Sequence, residues 1–143
     1  MPKSRKFLVP IDFSKGSDAA LEYAIAMARE QKARLVLLHV IPAAMVYPSE
    51  GTRFDLYTLL ERDARADLAR LMKRKRLGPE AAQTLMMRGV NPAEIIAQQA
   101  KKLGATMIII GSHGRTGLPR LLLGSVAERT LRLAHCPVLI VKK

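Results

Sequence analysis

The sequence predicts a single α/β domain built on a mostly parallel sheet. Short aliphatic runs alternate with amphipathic helical patterns along all 143 residues. The runs are nearly continuous in hydrophobic residues, as in strands that are covered on both faces. No internal repeat or domain boundary interrupts the pattern, and the length suits one domain with a real core. We therefore predict that residues 1–143 form one three-layer α/β/α domain with a five-stranded sheet.

The first half of the chain supplies two strands and two helices. Phe7–Ile11 is predicted as the first strand, with Pro10 near its end and Asp12 just beyond it, because proline cannot continue a ladder. Ser14 and Ser17 offer capping side chains to the helix that follows. The buried stripe of that helix is expected to consist of Leu21, Ala24, Ile25 and Ala28.

A second strand, a long loop and a second helix come next. Leu35–Val40 is the second aliphatic run, and Pro42–Arg53, with two prolines and a glycine, is the longest predicted loop. A helix is expected from Phe54 until Gly78-Pro79 ends it, with an i, i+4 ion pair between Glu61 and Arg65. Its predicted apolar face comprises Leu56, Leu60, Ala64, Leu68 and Leu71 or Met72.

The second half repeats the alternation. A strand around Gln83–Met87 precedes a helix with Asn91 as N-cap, Pro92 in the first position and Gly104 as a left-handed stop. Another strand covers Met107–Ile110, and a last helix is expected from Ser125, because Ser125 and Glu128 stand at capping-box spacing. The final strand is predicted within 137–141.

The most informative stretch is the glycine-rich segment after the fourth strand. The aliphatic run stops at Gly111, further glycines stand at positions 114 and 117, and the segment ends at Gly124-Ser125. Glycines without Cβ let backbone N–H groups approach an anion, and a helix start adds N–H groups and a favourable dipole. A tight strand-to-helix turn with a capping serine is the structural alternative. The two roles are compatible, and the pattern favours a phosphate-binding loop.

The spacing Gly111-x2-Gly114-x9-Gly124-Ser125 resembles the nucleotide-binding signature of the universal stress protein family, in its ATP-binding branch. It is neither a Walker loop nor the dinucleotide fingerprint. The resemblance covers essentially the whole chain. It implies an adenine nucleotide alpha hydrolase-like fold with strand order 3-2-1-4-5, and a ligand crevice between the first and fourth strands. It also implies ATP as ligand and a homodimer formed through the C-terminal strand, Val138–Val141, which would otherwise be an apolar sheet edge.

Asp12 is the candidate with two competing roles. An aspartate after a strand often only initiates a turn, whereas the resemblance places this one beside the nucleotide or its Mg²⁺, for which carboxylate oxygen is a suitable ligand. Pro10 and Val40 are included on resemblance alone, and Arg115 has a planar fork that suits phosphate. The predicted nucleotide-binding residues are Pro10, Asp12, Val40, Ile110, Gly111, His113, Gly114, Arg115, Gly124, Ser125 and Val126, and the predicted metal ligand is Asp12.

The resemblance implies a role in the stress response, and together with these residues it favours a nucleotide-dependent switch or sensor and not an enzyme. The chain offers no convincing water-activating base paired with a phosphate-clamping lysine, so we expect hydrolysis to be slow or absent. His113 is interpreted as a loop residue beside the ligand and Cys136 as a small side chain with no base next to it. The enzyme alternative is an ATP-hydrolysing or nucleotidyl-transfer protein on the same fold.

The net charge of +12 leaves a third alternative, a basic nucleic-acid-binding module. Aromatic residues are only 4% of the chain, which leaves few platforms for stacking single-stranded bases. A basic surface that draws in polyphosphate ligands is the simpler interpretation, so we expect no nucleic-acid partner. We also expect no membrane segment, and the single cysteine fits a reducing cytoplasm.

Overall fold

Five parallel strands form one sheet in the order β3-β2-β1-β4-β5, as predicted. The computed structural model of the chain describes residues 4–42, 52–113 and 122–142. The strands are β1 (Lys6–Pro10), β2 (Arg34–Pro42), β3 (Ala82–Gly89), β4 (Met107–Gly111) and β5 (Val138–Val141). The helices are α1 (Lys15–Gln31), α2 (Thr52–Arg74), α3 (Pro92–Leu103) and α4 (Ser125–Leu133).

Both faces of the sheet are covered, which explains the nearly continuous apolar runs in the strands. Phe7 and Val9 of β1 pack on one face with Leu21 of α1. Leu8 of the same strand packs on the other face with Ile96 of α3 and Ala127 of α4. Successive side chains of a strand point to opposite faces, so each strand contributes to two cores at once. This arrangement gives the three layers that the sequence predicts.

The predicted apolar face of α2 is wrong at one position. The helix begins at Thr52, two residues before the predicted start, and Leu56 is 40% exposed. Tyr57 is buried instead, in a small cluster with Ile41 at the end of β2. The buried stripe runs on through Ala64, Leu68 and Leu71, and helical spacing carries it back to position 57 and not 56. The predicted Glu61–Arg65 pair is present at 3.3 Å.

The strand order reverses between β1 and β4. From β1 the chain proceeds outward through β2 to β3, then returns to the other side of β1 to add β4 and β5. Open sheets of this kind bind ligands beyond the carboxyl ends of the strands at such a reversal. Asp12 follows β1 and Gly111 ends β4, so the predicted crevice lies between them. Pro10 ends its strand as expected, opposite Leu38 of β2.

Among residues 4–42, 52–113 and 122–142 there is no helix with both the length and the apolar character that a bilayer span requires.

Candidate functional site

The turn after β1 is organised by Asp12. Its Oδ1 accepts hydrogen bonds from the backbone N–H of Ser14, at 2.9 Å, and from the Ser14 hydroxyl. The Ser14 Oγ in turn accepts from the N–H of Ser17 and caps α1, as predicted. Phe13, between Asp12 and Ser14, has the left-handed φ of 64°. Asp12 therefore serves the turn, and its binding role stays a prediction.

His39 joins the ends of β1 and β2. Its Nδ1 lies 2.7 Å from the carbonyl oxygen of Ile11, a geometry in which Nδ1–H donates, and its ring packs on Phe13 with centroids 4.9 Å apart. The neighbouring Val40 is half-buried and its side chain packs into the core on the α3 and α4 face. Val40 can thus offer a ligand its backbone more readily than its side chain.

The end of β4 lies against the first turn of α1 so closely that two glycines are required. A Cβ at Gly111 would stand 2.6 Å from the carbonyl oxygen of Gly16, and a Cβ at Gly16 would overlap the carbonyl oxygen of His113. Gly111 is therefore explained by this backbone contact, whatever its role towards a ligand. Gly16 was not predicted as a site residue. The sequence signal that could have identified Gly16 is its place in the first turn of a helix, where glycine lowers helix stability and so needs another reason to be present.

The base of the glycine-rich loop is closed by hydrogen bonds among described residues. Ser112 is buried, its N–H donates to Val141 of β5 at 3.0 Å, and its carbonyl oxygen accepts from the N–H of Gly124 at 2.7 Å. His113 contacts the Ser112 hydroxyl through Nδ1 and the carbonyl oxygen of Leu122 through Nε2. The predicted binding residues Gly114 and Arg115 lie outside the described residues.

The start of α4 differs from the predicted capping box. Gly124 is the N-cap, in extended conformation, and Ser125 is the first helical residue. The Gly124 N–H donates to the carbonyl oxygen of Ser112. This hydrogen bond fixes Gly124 in place as the N-cap of α4. Glu128 pairs with Arg132 at 2.9 Å and does not cap the helix. Because Gly124 has no side chain that could accept a hydrogen bond, the N-cap residue itself does not serve the N–H groups of Ser125 and Val126.

A second recess, of about 340 Å³, opens between the start of α1 and the end of α2. It is lined by Phe13, Ser14, Lys15, Asp18, Arg74 and Lys75. Lys75 is bound there by Asp18 and Glu22, at 2.9 and 2.6 Å. Burial alone would lower the pKa of Lys75, but the hydrogen bonds and charges of Glu22 and Asp18 outweigh it and raise the pKa. The lysine thus ties α1 to α2 and is engaged within the protein.

Cys136 is half-buried at the start of β5, as predicted for a small packing side chain. Burial raises the pKa of its thiol, which disfavours the reactive thiolate. Among the described residues, no group of three or more His, Cys, Asp or Glu side chains could hold a metal ion by itself.

Comparison with known proteins identifies the family. The model of the Universal stress protein family matches residues 3–142, so the chain belongs to that family. Universal stress protein MJ0531 of Methanocaldococcus jannaschii is 38% identical over 141 residues, covering 97% of this chain and 82% of that protein. Universal stress protein YxiE of Bacillus subtilis is 34% identical, with 96% and 98% of the two chains covered.

Solved structures agree with the fold. The structure of MJ0577 of Methanocaldococcus jannaschii matches with a TM-score of 0.86 and 32% identity, covering 97% of this chain and 96% of that one. Two structures at 22% identity were solved with nucleotides. One is a universal stress protein in complex with cAMP, with a TM-score of 0.62 and 97% of each chain covered. The other is a universal stress protein from Archaeoglobus fulgidus in complex with dAMP, with a TM-score of 0.67, covering 99% of this chain and 100% of that one. At that identity the two complexes show likeness of fold alone.

The contact between α1 and β4 predicts an unusual sign for a glycine substitution. Gly→Ala near a helix start normally stabilises a protein by roughly 0.5–1 kcal/mol. We expect Gly16→Ala instead to destabilise the fold by about 1–3 kcal/mol, because the new methyl group overlaps the His113 carbonyl. Urea unfolding measures the change. A gain in stability would contradict the described contact.

Proposed function

We propose that this protein binds ATP in the crevice at the carboxyl ends of β1, β2 and β4, as a nucleotide-dependent switch or sensor in the stress response. The observation that carries the proposal is the start of α4. The N-cap residue, Gly124, has no side chain that could bond the first N–H groups of α4, and the Gly124–Ser112 hydrogen bond holds these groups beside the end of β4. Such a helix start attracts anionic groups through its N–H donors and its dipole.

The phosphate contacts are assigned to the N–H groups of Ser125 and Val126. Gly124 contributes through its position and its lack of a side chain, since its own N–H is already bound to Ser112. Gly114 and Arg115, which the sequence places in the same loop, are proposed to complete the phosphate site. The signature spacing supports this assignment.

The nucleoside would lie along the strand ends. Ile110 is 6% exposed and packed in the core, so it can offer a ligand only its backbone. Pro10 and Val40 stand at the ends of β1 and β2 and are proposed to contact the adenine in the same way. Asp12 stands at the mouth of the same crevice.

Mg²⁺ fits this site as a companion of the phosphates. The ion is commonly bound through one or two carboxylates together with substrate phosphates and water. Asp12 is the carboxylate at the switch point, and Ser14 already orients one of its oxygens. We propose that Asp12 holds the metal ion when the nucleotide is bound, in addition to forming the turn.

Hydrolysis is proposed to be slow or absent. The histidine nearest the glycine loop, His113, uses its two ring nitrogens on the Ser112 hydroxyl and the Leu122 carbonyl. A general base must accept a proton from an attacking water, and these contacts oppose that role. The protein is therefore proposed to respond to nucleotide binding without hydrolysing the nucleotide at a significant rate.

Dimer formation through β5 is also proposed. β5 is the last strand of the sheet, and all four of its residues are half-buried. An apolar edge strand is a ready surface for pairing with a second copy. A monomeric mass at high protein concentration would contradict this assembly.

The single cysteine supports a cytoplasmic location for the protein.

Substitution of Ser125 tests the phosphate site. Ser125→Asp adds a negative charge at the first position of α4, which favours the helix but repels phosphate. We expect ATP affinity, measured by calorimetry with Mg²⁺, to fall at least about tenfold, a loss of about 1.4 kcal/mol. The neutral control Ser125→Asn should keep most of the affinity. Equal affinity in the two variants, or no binding by the wild type at millimolar nucleotide, would refute the assignment.

Substitution of Asp12 separates the turn from the metal role. Asp12→Asn keeps an oxygen that can accept from Ser14 but removes the charge that Mg²⁺ prefers. We expect the free energy of unfolding to change by less than about 1 kcal/mol, a typical cost of one hydrogen bond, while ATP affinity loses its dependence on Mg²⁺. Calorimetry with and without Mg²⁺ gives the answer. A Mg²⁺ effect of wild-type size in Asp12→Asn would exclude this residue as the ligand.

A further inference from the structure

Exposed cations gather at the end of the sheet opposite the crevice, where β1 and β2 begin and where α1 and α3 end. We call this surface the basic end. It comprises Arg5, Lys6, Arg29, Lys32, Arg34, Lys101 and Lys102. Six of these seven side chains are exposed, and Lys6 is half-buried. Exposed carboxylates on the same segments are those of Glu30, in the last turn of α1, and Glu80, before β3.

Hydrogen bonds and strand register show that these residues are neighbours. Lys6 and Arg34 are directly paired across β1 and β2. The Arg5 guanidinium donates to Gln31 in the last turn of α1 at 2.9 Å, and Lys6 Nζ lies 3.5 Å from the carbonyl oxygen of Leu103 at the end of α3. Two strands and two helix ends thus present their cations on one surface.

The charges of the basic end are not neutralised within the described part of the chain. None of its seven cations forms an ion pair there, and the bonds made by Arg5, Lys6 and Arg34 go to neutral oxygen atoms. The flank of α2 behaves differently, because Arg65 and Arg70 there pair with carboxylates of their own helix. The basic end therefore presents seven cations against two exposed carboxylates, without an ion pair among the described residues.

Helix dipoles explain only part of this cluster. Arg29, Lys101 and Lys102 lie in the last turns of α1 and α3, where a cation offsets the negative helix end. Arg5 and Arg34 lie at strand starts, where no such reason exists. The Arg5 guanidinium bonds Gln31 and the Arg34 guanidinium bonds the carbonyl oxygen of Pro79. A guanidinium group has five N–H donors, so both side chains keep further donors for an anionic partner.

We propose that the basic end binds the phosphate backbone of double-stranded nucleic acid without sequence preference. Arginine and lysine side chains on rigid elements suit phosphate contacts of this kind. Base stacking is not required, so the scarcity of aromatic residues, which argues against single-stranded ligands, does not oppose a duplex. Exposed large hydrophobic side chains near this end of the sheet are those of Leu131 and Leu133 in the last turn of α4, so an anionic membrane is the alternative that the experiment includes.

The experiment measures binding of the full chain to a fluorescent duplex of arbitrary sequence, of about 20 base pairs, between about 50 and 200 mM salt. The variant Arg5→Gln/Lys32→Gln/Lys101→Gln/Lys102→Gln removes four charges from the basic end. The control Arg62→Gln/Arg65→Gln/Lys73→Gln/Arg74→Gln removes the same number from α2. We expect the first variant to lose at least about tenfold in affinity and to reduce the salt slope by about three to four. The control should change affinity by less than about threefold.

Three results would overturn the proposal. The first is an equal loss in both variants, since binding would then follow net charge and not this surface. The second is that the wild type does not bind the duplex at the lowest salt. The third is that the wild type binds phosphatidylserine vesicles but not the duplex, which would assign the surface to a membrane. Amide hydrogen exchange of the wild type gives a readout that needs no substitution. Protection by the duplex should fall on residues 29–34 and 101–106, and protection only around the crevice would contradict the proposal.

Discussion

The contact between the first turn of α1 and the exit of β4 is the constraint on which the rest of the site depends. At Gly16 and Gly111 the two backbones approach so closely that neither position has room for a Cβ. The contact brings the Asp12 turn, which begins α1, next to the residues that lead from β4 into the glycine loop. Ser112 then holds Gly124 and so places the start of α4 at the same end of the sheet.

The two ends of the sheet consequently have different chemistry. The carboxyl end holds the turn made by Asp12 and the N-terminus of α4, whose N-cap Gly124 has no side chain to bond the first N–H groups. At the amino end, helix C-termini meet the basic residues at the starts of β1 and β2. A parallel α/β sheet imposes this polarity, because every helix runs back against its strands. A polyphosphate and a duplex backbone could therefore bind at opposite ends without competing.

The alternation of elements was predictable, because continuous apolar runs carry strong local signals, and the strand order followed from the family resemblance. The details that failed depend on contacts between distant residues. The last helix begins at Ser125 as predicted, but its N-cap is Gly124, which is held by the hydrogen bond to Ser112, and the predicted capping box does not form. Leu56 is more apolar than Tyr57, yet Tyr57 is the buried residue, because it continues the stripe of α2 and packs with Ile41. Gly16 gave only a weak sequence signal, because the backbone that it contacts, at Gly111 and His113, is nearly a hundred residues away along the chain.

The most direct test of the account is the response of individual backbone amides to Mg²⁺ and ATP, followed by ¹H–¹⁵N correlation spectra. If the start of α4 binds the phosphates, the amide resonances of Ser125 and Val126 shift strongly and saturably. Those of Ala93 and Glu94, in the first turn of α3, serve as the internal comparison, because the side chain of N-cap Asn91 likewise makes no capping hydrogen bond. Unchanged Ser125 and Val126 resonances at saturating nucleotide, or equal shifts at both helix starts, would contradict the account.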